Sequence, residues 1–274
     1  MAKFLAALLL AAALAGASAP ALALKMESDK GRPWRMVLSG PINVGDADRF
    51  LRALLEPLAD QPLLLSEVVL ASPGGNLSEA LRLAALVKGL HLDTRVRAGA
   101  SCSSACFFIY LAGDHRVAGE RSAEGLRPGR IGLHRPYLGG EALKKGDPGS
   151  GMERQQSEMA KVIDYLRRES VPLRLIDEMM SHPSNDIYWL SDEDLWQLGE
   201  YHPGLEEVLI ARCAYDKRLT SAAYEQLLLG LDEAARASGQ AQLATLQQCI
   251  ASTRASFDAQ RDKFLAKLKS GWRP

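Results

Sequence analysis

The sequence lacks an excess of either charge: 33 Lys and Arg stand against 33 Asp and Glu over 274 residues. No basic stripe runs through it, so nothing argues for nucleic acid as the main partner. After the first two dozen residues no stretch approaches about 18 uninterrupted apolar residues, so no integral membrane segment is expected in the mature chain. There is no internal repeat, and low-complexity sequence is confined to the amino-terminal segment. Cysteine is scarce. The four cysteines are spaced C-x3-C and then C-x35-C, which fits no structural zinc pattern, so no metal is expected. No cofactor is expected either. What remains is 47% hydrophobic, enough for one large domain or a domain with a smaller appendage.

The amino-terminal residues read as a signal peptide. Lys3 supplies a positive start, Phe4 to Ala15 form an almost unbroken apolar run, and Ala21-Leu22-Ala23 is a small-residue cleavage site. Cleavage is expected after Ala23, so that 1–23 is removed. Ala17-Ser18-Ala19 is the weaker alternative, because Pro20 would follow the cut. The apolar run is short for a bilayer span, which disfavours a retained anchor. The expected location is therefore periplasmic or secreted, where an even number of cysteines suggests disulfides. Cys213 and Cys249 lie in one helical region and are the natural long-range pair, worth roughly 3–4 kcal/mol on loop-closure entropy. Cys102 and Cys106 are four apart and would share a helix face, either bridged or as small buried thiols.

Residues 24–33 look like a polar leader, and 34–39 like a strand ended by Gly40-Pro41. Helical spacing follows over 46–59 with Asp46 as N-cap, then a short apolar strand over 67–71. Ser72-Pro73-Gly74-Gly75 is a sharp turn, 77–89 an amphipathic helix with Ser78 as a candidate cap, and 93–97 a short strand. Gly99 to Ser104 is a small-residue turn opening the apolar helix 105–112, and Arg130 to Leu133 is a further strand. Such alternation predicts an α/β fold with a parallel sheet of βαβ units. Helix resumes over 152–180 with a break at Pro172; a short helix capped by Ser191 follows. Helices over 206–237 and 240–268 complete the chain. They form a candidate antiparallel hairpin pinned by Cys213–Cys249.

Three places can carry chemistry. Glycines in the 72–75 turn let backbone N–H groups face a cavity and hold an oxyanion. Serines at the start of the 105–112 helix lie at the positive end of its dipole, although Ser is also a common cap. His134, at the end of an apolar strand, is a candidate general base; the bland alternative is a histidine hydrogen-bonded at a strand end.

In this order the motifs resemble those of the ClpP peptidase core. The match comprises Gly40-Pro41-Ile42, Ser72-Pro73-Gly74-Gly75, Ser104-Ala105, Ala112-Gly113 and Ile131 to Pro136. It spans residues 36–138 strongly and the next 65 loosely. The resemblance implies a ClpP/crotonase-type spiral over 24–204, with 205–274 as a carboxy-terminal helical hairpin outside it. It implies Ser104 as nucleophile, His134 as base, and the N–H groups of Gly75 and Ala105 as the oxyanion hole. Counting from Gly113 gives Ser104, and counting from Gly99 gives Ser103. The family's acid aligns with Ser181-His182-Pro183, which holds no carboxylate. Asp186 substitutes, or the site is a Ser–His dyad, or it is degenerate. Lys161 carries no mark beyond that of a helix charge. The expected substrates are peptides or unfolded protein, and the 152–180 helix would serve homo-oligomer contacts as in that family. A catalytically degenerate binding module is the second expectation. Crotonase-type chemistry on coenzyme A thioesters is the third, disfavoured because that cofactor is intracellular.

Overall fold

Arg32–Ser39 and Glu67–Ala71 pair side by side, in parallel, with Met36 facing Val68 and Leu38 facing Leu70. We describe them in a computed structural model that covers residues 23–29, 31–56, 65–118, 128–137, 148–198, 209–210, 212–213 and 233–274. These two strands are β2 and β3. Before them runs β1 (Lys25–Asp29), antiparallel to β2. Residues 24–33 are thus not a leader. The side chains of Lys25, Glu27 and Ser28 are exposed, so backbone pairing rather than apolar periodicity makes this strand.

Parallel pairing continues through β4 (Asp93–Arg95) and β6 (Arg116–Val117), giving a five-stranded sheet ordered β1-β2-β3-β4-β6. A second sheet contains β5 (Ser101–Ser103), β7 (Arg130–Leu133) and β8 (Tyr188–Trp189). Two isolated parallel bridges, Ile42 to Gly75 and Ser72 to Cys102, extend the same pattern. Each of the four parallel strands of the first sheet is therefore followed by a short extended piece in a second layer, and then by a helix. β2 leads to Ile42 and α1 (Asp46–Leu55). β3 leads to Ser72–Gly75 and α2 (Leu77–Gly89). β4 leads to β5 and α3 (Cys106–Leu111). β6 leads to β7 and then α4 (Pro148–Arg168). The fold is mixed α/β, as the alternation predicts.

Two helices begin where a short polar side chain accepts from a free N–H group, though not always at the expected residue. Asn76, not Ser78, caps α2 by accepting from the Glu79 N–H at 2.9 Å. Asp46 is the first residue of α1 rather than its cap; its carboxylate accepts from the Asn43 N–H. After α5 (Leu173–Ser181), Ser191 caps α6 (Asp192–Gln197) as expected, in a reciprocal box with Asp194.

Asp194 makes that box pH-dependent. Burial opposes its charge, but bonds from the Ser191 N–H, Arg174, the Tyr188 hydroxyl and the Ser191 hydroxyl outweigh burial. Its carboxyl is held below its ordinary value. A carboxyl depressed in the folded state contributes stability above its unfolded value, about 4, and that stability is lost as pH falls through the folded value. Thermal melts should show Tm dropping below about pH 4, and Asp194→Asn should be less stable at neutral pH with a shallower acid limb. An acid limb equally steep in the variant would show that other carboxyls cause it.

The core is continuous from Leu24 through Phe50, Leu83, Phe107 and Ile131 to Leu268, each no more than 1% exposed. Leu268 belongs to α7 (Glu233–Lys269), which brings the carboxy-terminal region onto the α/β unit. The Phe264 ring lies over Gly89, so close that a Cβ there would fall 2.3 Å from it. Phe257 meets His91 edge-on, and Arg273 pairs with Asp48. Cys213 and Cys249 are disulfide-bonded, with Cα atoms 5.8 Å apart. Most of the expected first hairpin helix, 206–237, and the 1–23 signal lie outside the described residues, except for Ala23 and fragments of the helix. So does the proposed 204/205 boundary. No helix among the described residues is long and apolar enough to cross a membrane.

Candidate functional site

Parallel register assembles the site. Ser72 pairs with Cys102, Cys102 with Ile131 and Ser103 with Gly132. Each of these segments then ends within a residue or two, delivering Gly74-Gly75, Ser104 and His134 to one end of the second layer. Gly75, Ser104, Ala105 and His134 line a single pocket there, with Phe108 and Tyr137 as apolar walls and an empty volume of about 270 Å³ including its open mouth.

Ser104 sits at the corner between β5 and α3. Its φ is +56°, a left-handed conformation that costs a non-glycine residue about 1–2 kcal/mol. Strand pairing fixes one side of the corner: Ser103 N–H donates to Ser72 O at 3.0 Å, and Ser104 N–H donates to Gly132 O at 2.9 Å. Helix packing fixes the other. Phe107 N–H donates to Ser104 O, and the Tyr165 hydroxyl of α4 donates to Phe108 O at 2.7 Å. Burial pushes the Tyr165 phenol well above its ordinary pKa, so it stays a donor. Such a strained strand-to-helix corner projects a hydroxyl into a cavity. Ser103 is different: it is 3% exposed, inside β5, and does not line the pocket.

Cys102 and Cys106 form a disulfide across this corner, with Cα atoms 5.3 Å apart and both residues fully buried. They do not share a helix face. Cys102 lies in β5 and Cys106 opens α3, because the chain turns between them. On loop-closure entropy the bridge contributes about 2 kcal/mol, against about 4 kcal/mol for Cys213–Cys249 with its longer loop.

The glycine turn packs directly on the Ser104 corner. Gly74, at φ +93°, leaves room that a Cβ would close: it would lie 2.6 Å from Ser103 O and 2.8 Å from the Ala105 nitrogen. Gly75, at φ +143°, lies as tightly against Ile42, whose carbonyl a Cβ would meet at 2.2 Å. Among the described residues, neither the Gly75 N–H nor the Ala105 N–H has a protein acceptor, whereas their neighbours Gly74 and Asn76 donate to Ser72 Oγ and Ile42 O. Two free N–H groups beside a serine hydroxyl are what an oxyanion needs.

His134 is 8% exposed. Its Nδ1 is 3.0 Å from Arg135 O. A carbonyl only accepts, so Nδ1 carries the hydrogen and the neutral ring keeps its lone pair on Nε2. The Tyr137 ring lies over it at 6.1 Å between centroids. Among the described residues, no hydrogen bond joins Ser104 Oγ to His134. Asp186 is not at the ring. Its carboxylate is 65% exposed, 3.9 Å from His182 Nε2, and His182 O accepts from the Arg135 N–H. Asp186 thus reaches His134 only through His182 and the Arg135 backbone. Lys161 is exposed and pairs with Glu158 at 2.7 Å, away from Ser104. Among the described residues no group of three or more His, Cys, Asp or Glu side chains is arranged to hold a metal ion.

A second recess adjoins the pocket, sharing Leu77, Pro136 and Tyr137 with it. Met159 and Val162 of α4 make it apolar, and Glu158 lies on its edge. Sequence reasoning missed this recess, and it missed Arg135 O as the partner of Nδ1. Only the apolar face of α4 could have hinted at the recess, and no side-chain pattern announces a backbone carbonyl. The chain matches no known protein family and no curated protein.

Proposed function

We propose that this protein is an exported serine hydrolase of the ClpP/crotonase fold class that cleaves peptides. The observation that carries the reading is the shared pocket of Gly75, Ser104, Ala105 and His134. The repeated order of first-layer strand, second-layer piece and helix supports the spiral. The two disulfides support export to an oxidising compartment.

The chemistry follows from the residues. Ser104 Oγ attacks a substrate carbonyl carbon while His134 Nε2 takes the hydroxyl proton, and Nδ1–H remains on Arg135 O. The Gly75 and Ala105 N–H groups donate to the oxyanion of the tetrahedral intermediate. As it collapses, the carbon–nitrogen bond breaks and His134 returns the proton to the departing amine. Water, deprotonated by His134, then cleaves the Ser104 ester and frees the acid. Arg135 O does the orienting that an acid does elsewhere, so the site works as a dyad with a backbone acceptor. The serine–histidine hydrogen bond forms when substrate closes the pocket, since such bonds are often loose in free enzymes. The apolar recess favours an apolar side chain next to the scissile carbonyl.

A fluorophosphonate probe tests this on the purified mature protein, with the adduct mapped by mass spectrometry. One adduct at Ser104 is expected. No adduct, or one on Ser103, overturns the reading and leaves the pocket as a binding site on a catalytically silent fold.

A further inference from the structure

We propose that the Cys102–Cys106 disulfide is a positioning element for Ser104, so that the rate of the chemical step depends on it more than stability does. The inference rests on the hydrolase reading above. The bridge spans five residues with Ser104 at their centre. One sulfur is anchored in β5, whose neighbour β7 runs directly into His134. The other opens α3, whose N-cap Ala105 supplies an oxyanion donor. The covalent link therefore fixes the strand paired with the base's own strand against the helix carrying the donor, with the nucleophile between them.

Ser104 needs such a link because its backbone is left-handed without being glycine. Released from constraint, the corner relaxes toward right-handed or extended backbone and swings Oγ relative to Nε2 and the two N–H groups. The bridge is also poorly placed as a stabiliser. It closes a far shorter loop than Cys213–Cys249, and shorter loops constrain the unfolded chain less. It lies where reacting atoms must be held, and misplacement there costs rate steeply. Both cysteines are fully buried, so the bridge is sealed in the folded protein and touches no substrate. Its effect passes through the turn alone.

The test compares two double variants of the full mature protein, Cys102→Ala with Cys106→Ala and Cys213→Ala with Cys249→Ala. Readouts are Tm, the labelling rate at Ser104 by a fluorophosphonate, and kcat and KM on an activated ester. Both series are assayed well below Tm. The first variant should lose about 10- to 100-fold in labelling rate and kcat with KM nearly unchanged, as expected for misplaced reacting groups. The second should lose more Tm yet keep both rates within about twofold. A first variant that folds and labels as fast as wild type overturns the positioning role while leaving the hydrolase reading intact. A wild type that never labels overturns both. If the first variant does not fold, Cys102→Val with Cys106→Ala, which removes the bridge while filling more of the buried volume, replaces it. Undiminished labelling in that variant then overturns the proposal.

Discussion

Ser104→Ala, His134→Ala and the double variant should all fall to one floor, about a thousandfold or more below wild-type kcat on an activated ester. The equality is the informative part. If Ser104 attacks only as His134 removes its proton, either loss disables the same step, and the second substitution has nothing left to remove. The floor itself stays above the uncatalysed rate, because Gly75 and Ala105 still present their N–H groups to the carbonyl oxygen. Measured kcat values that add logarithmically across the two sites would mean that the residues act independently. Asp186→Asn is the useful contrast. With its carboxylate on His182 and Nδ1 of His134 on Arg135 O, it should leave kcat within about threefold.

Glu169→Ala should lower stability by about 3–5 kcal/mol, the cost of leaving a buried cation without its partner. The cation is Arg116, 2% exposed at the start of β6. Its Nη2 meets Glu169 Oε2 at 3.2 Å, and its other nitrogens donate to Gly113 O and Leu198 O at 3.3 Å. Burial pulls the guanidinium below its ordinary pKa, with Glu169 opposing, and it stays charged at neutral pH. The pair thus ties the end of α3, the end of α4 and the residue after α6 to one strand. Lys88 Nζ also reaches Glu169, at 3.1 Å, but is half exposed and cannot replace Arg116. Chemical denaturation should show the loss as a lower midpoint. Arg116→Met with Glu169→Leu should recover most of it, since an apolar pair of similar volume avoids the desolvation penalty. A single variant within about 0.5 kcal/mol of wild type would show that the charges are solvated after all.

Much of this arrangement is legible in the residues themselves. Glu67 to Ala71 is short, largely apolar and β-branched, and Ala105 to Ala112 is too apolar for any surface; both were readable, and all but the half-buried Ala71 are buried. The Ser-Pro-Gly-Gly turn and the strand before His134 were readable because glycine and apolar runs punctuate the chain. β1 was not, because its polar side chains face solvent and only the backbone marks it as a strand. β5 was read as a turn for a similar reason: Ser101 to Ser103 carries no β-branched side chain, and its strand character comes from β7 beside it. The count from Gly113 already favours Ser104 over Ser103, but the left-handed φ at Ser104 is something no composition reveals. The partner of Nδ1 is a backbone atom, invisible to any search for a carboxylate. Helix α2 runs over 77–89 as its apolar spacing suggests, but its cap is Asn76, the residue before the first turn, rather than Ser78 within that turn.

The placement of Leu24 and Leu268 in one core bears on how the chain is completed. A polypeptide threaded across a membrane emerges in order, and its early strands can pair as they appear. The end of α2 at Gly89 is covered by Phe264 of α7. Helix α7 thus shares a core with Leu24, some 240 residues earlier in the chain. A chain that has not yet docked this helix leaves the apolar surface beneath Phe264 exposed to water.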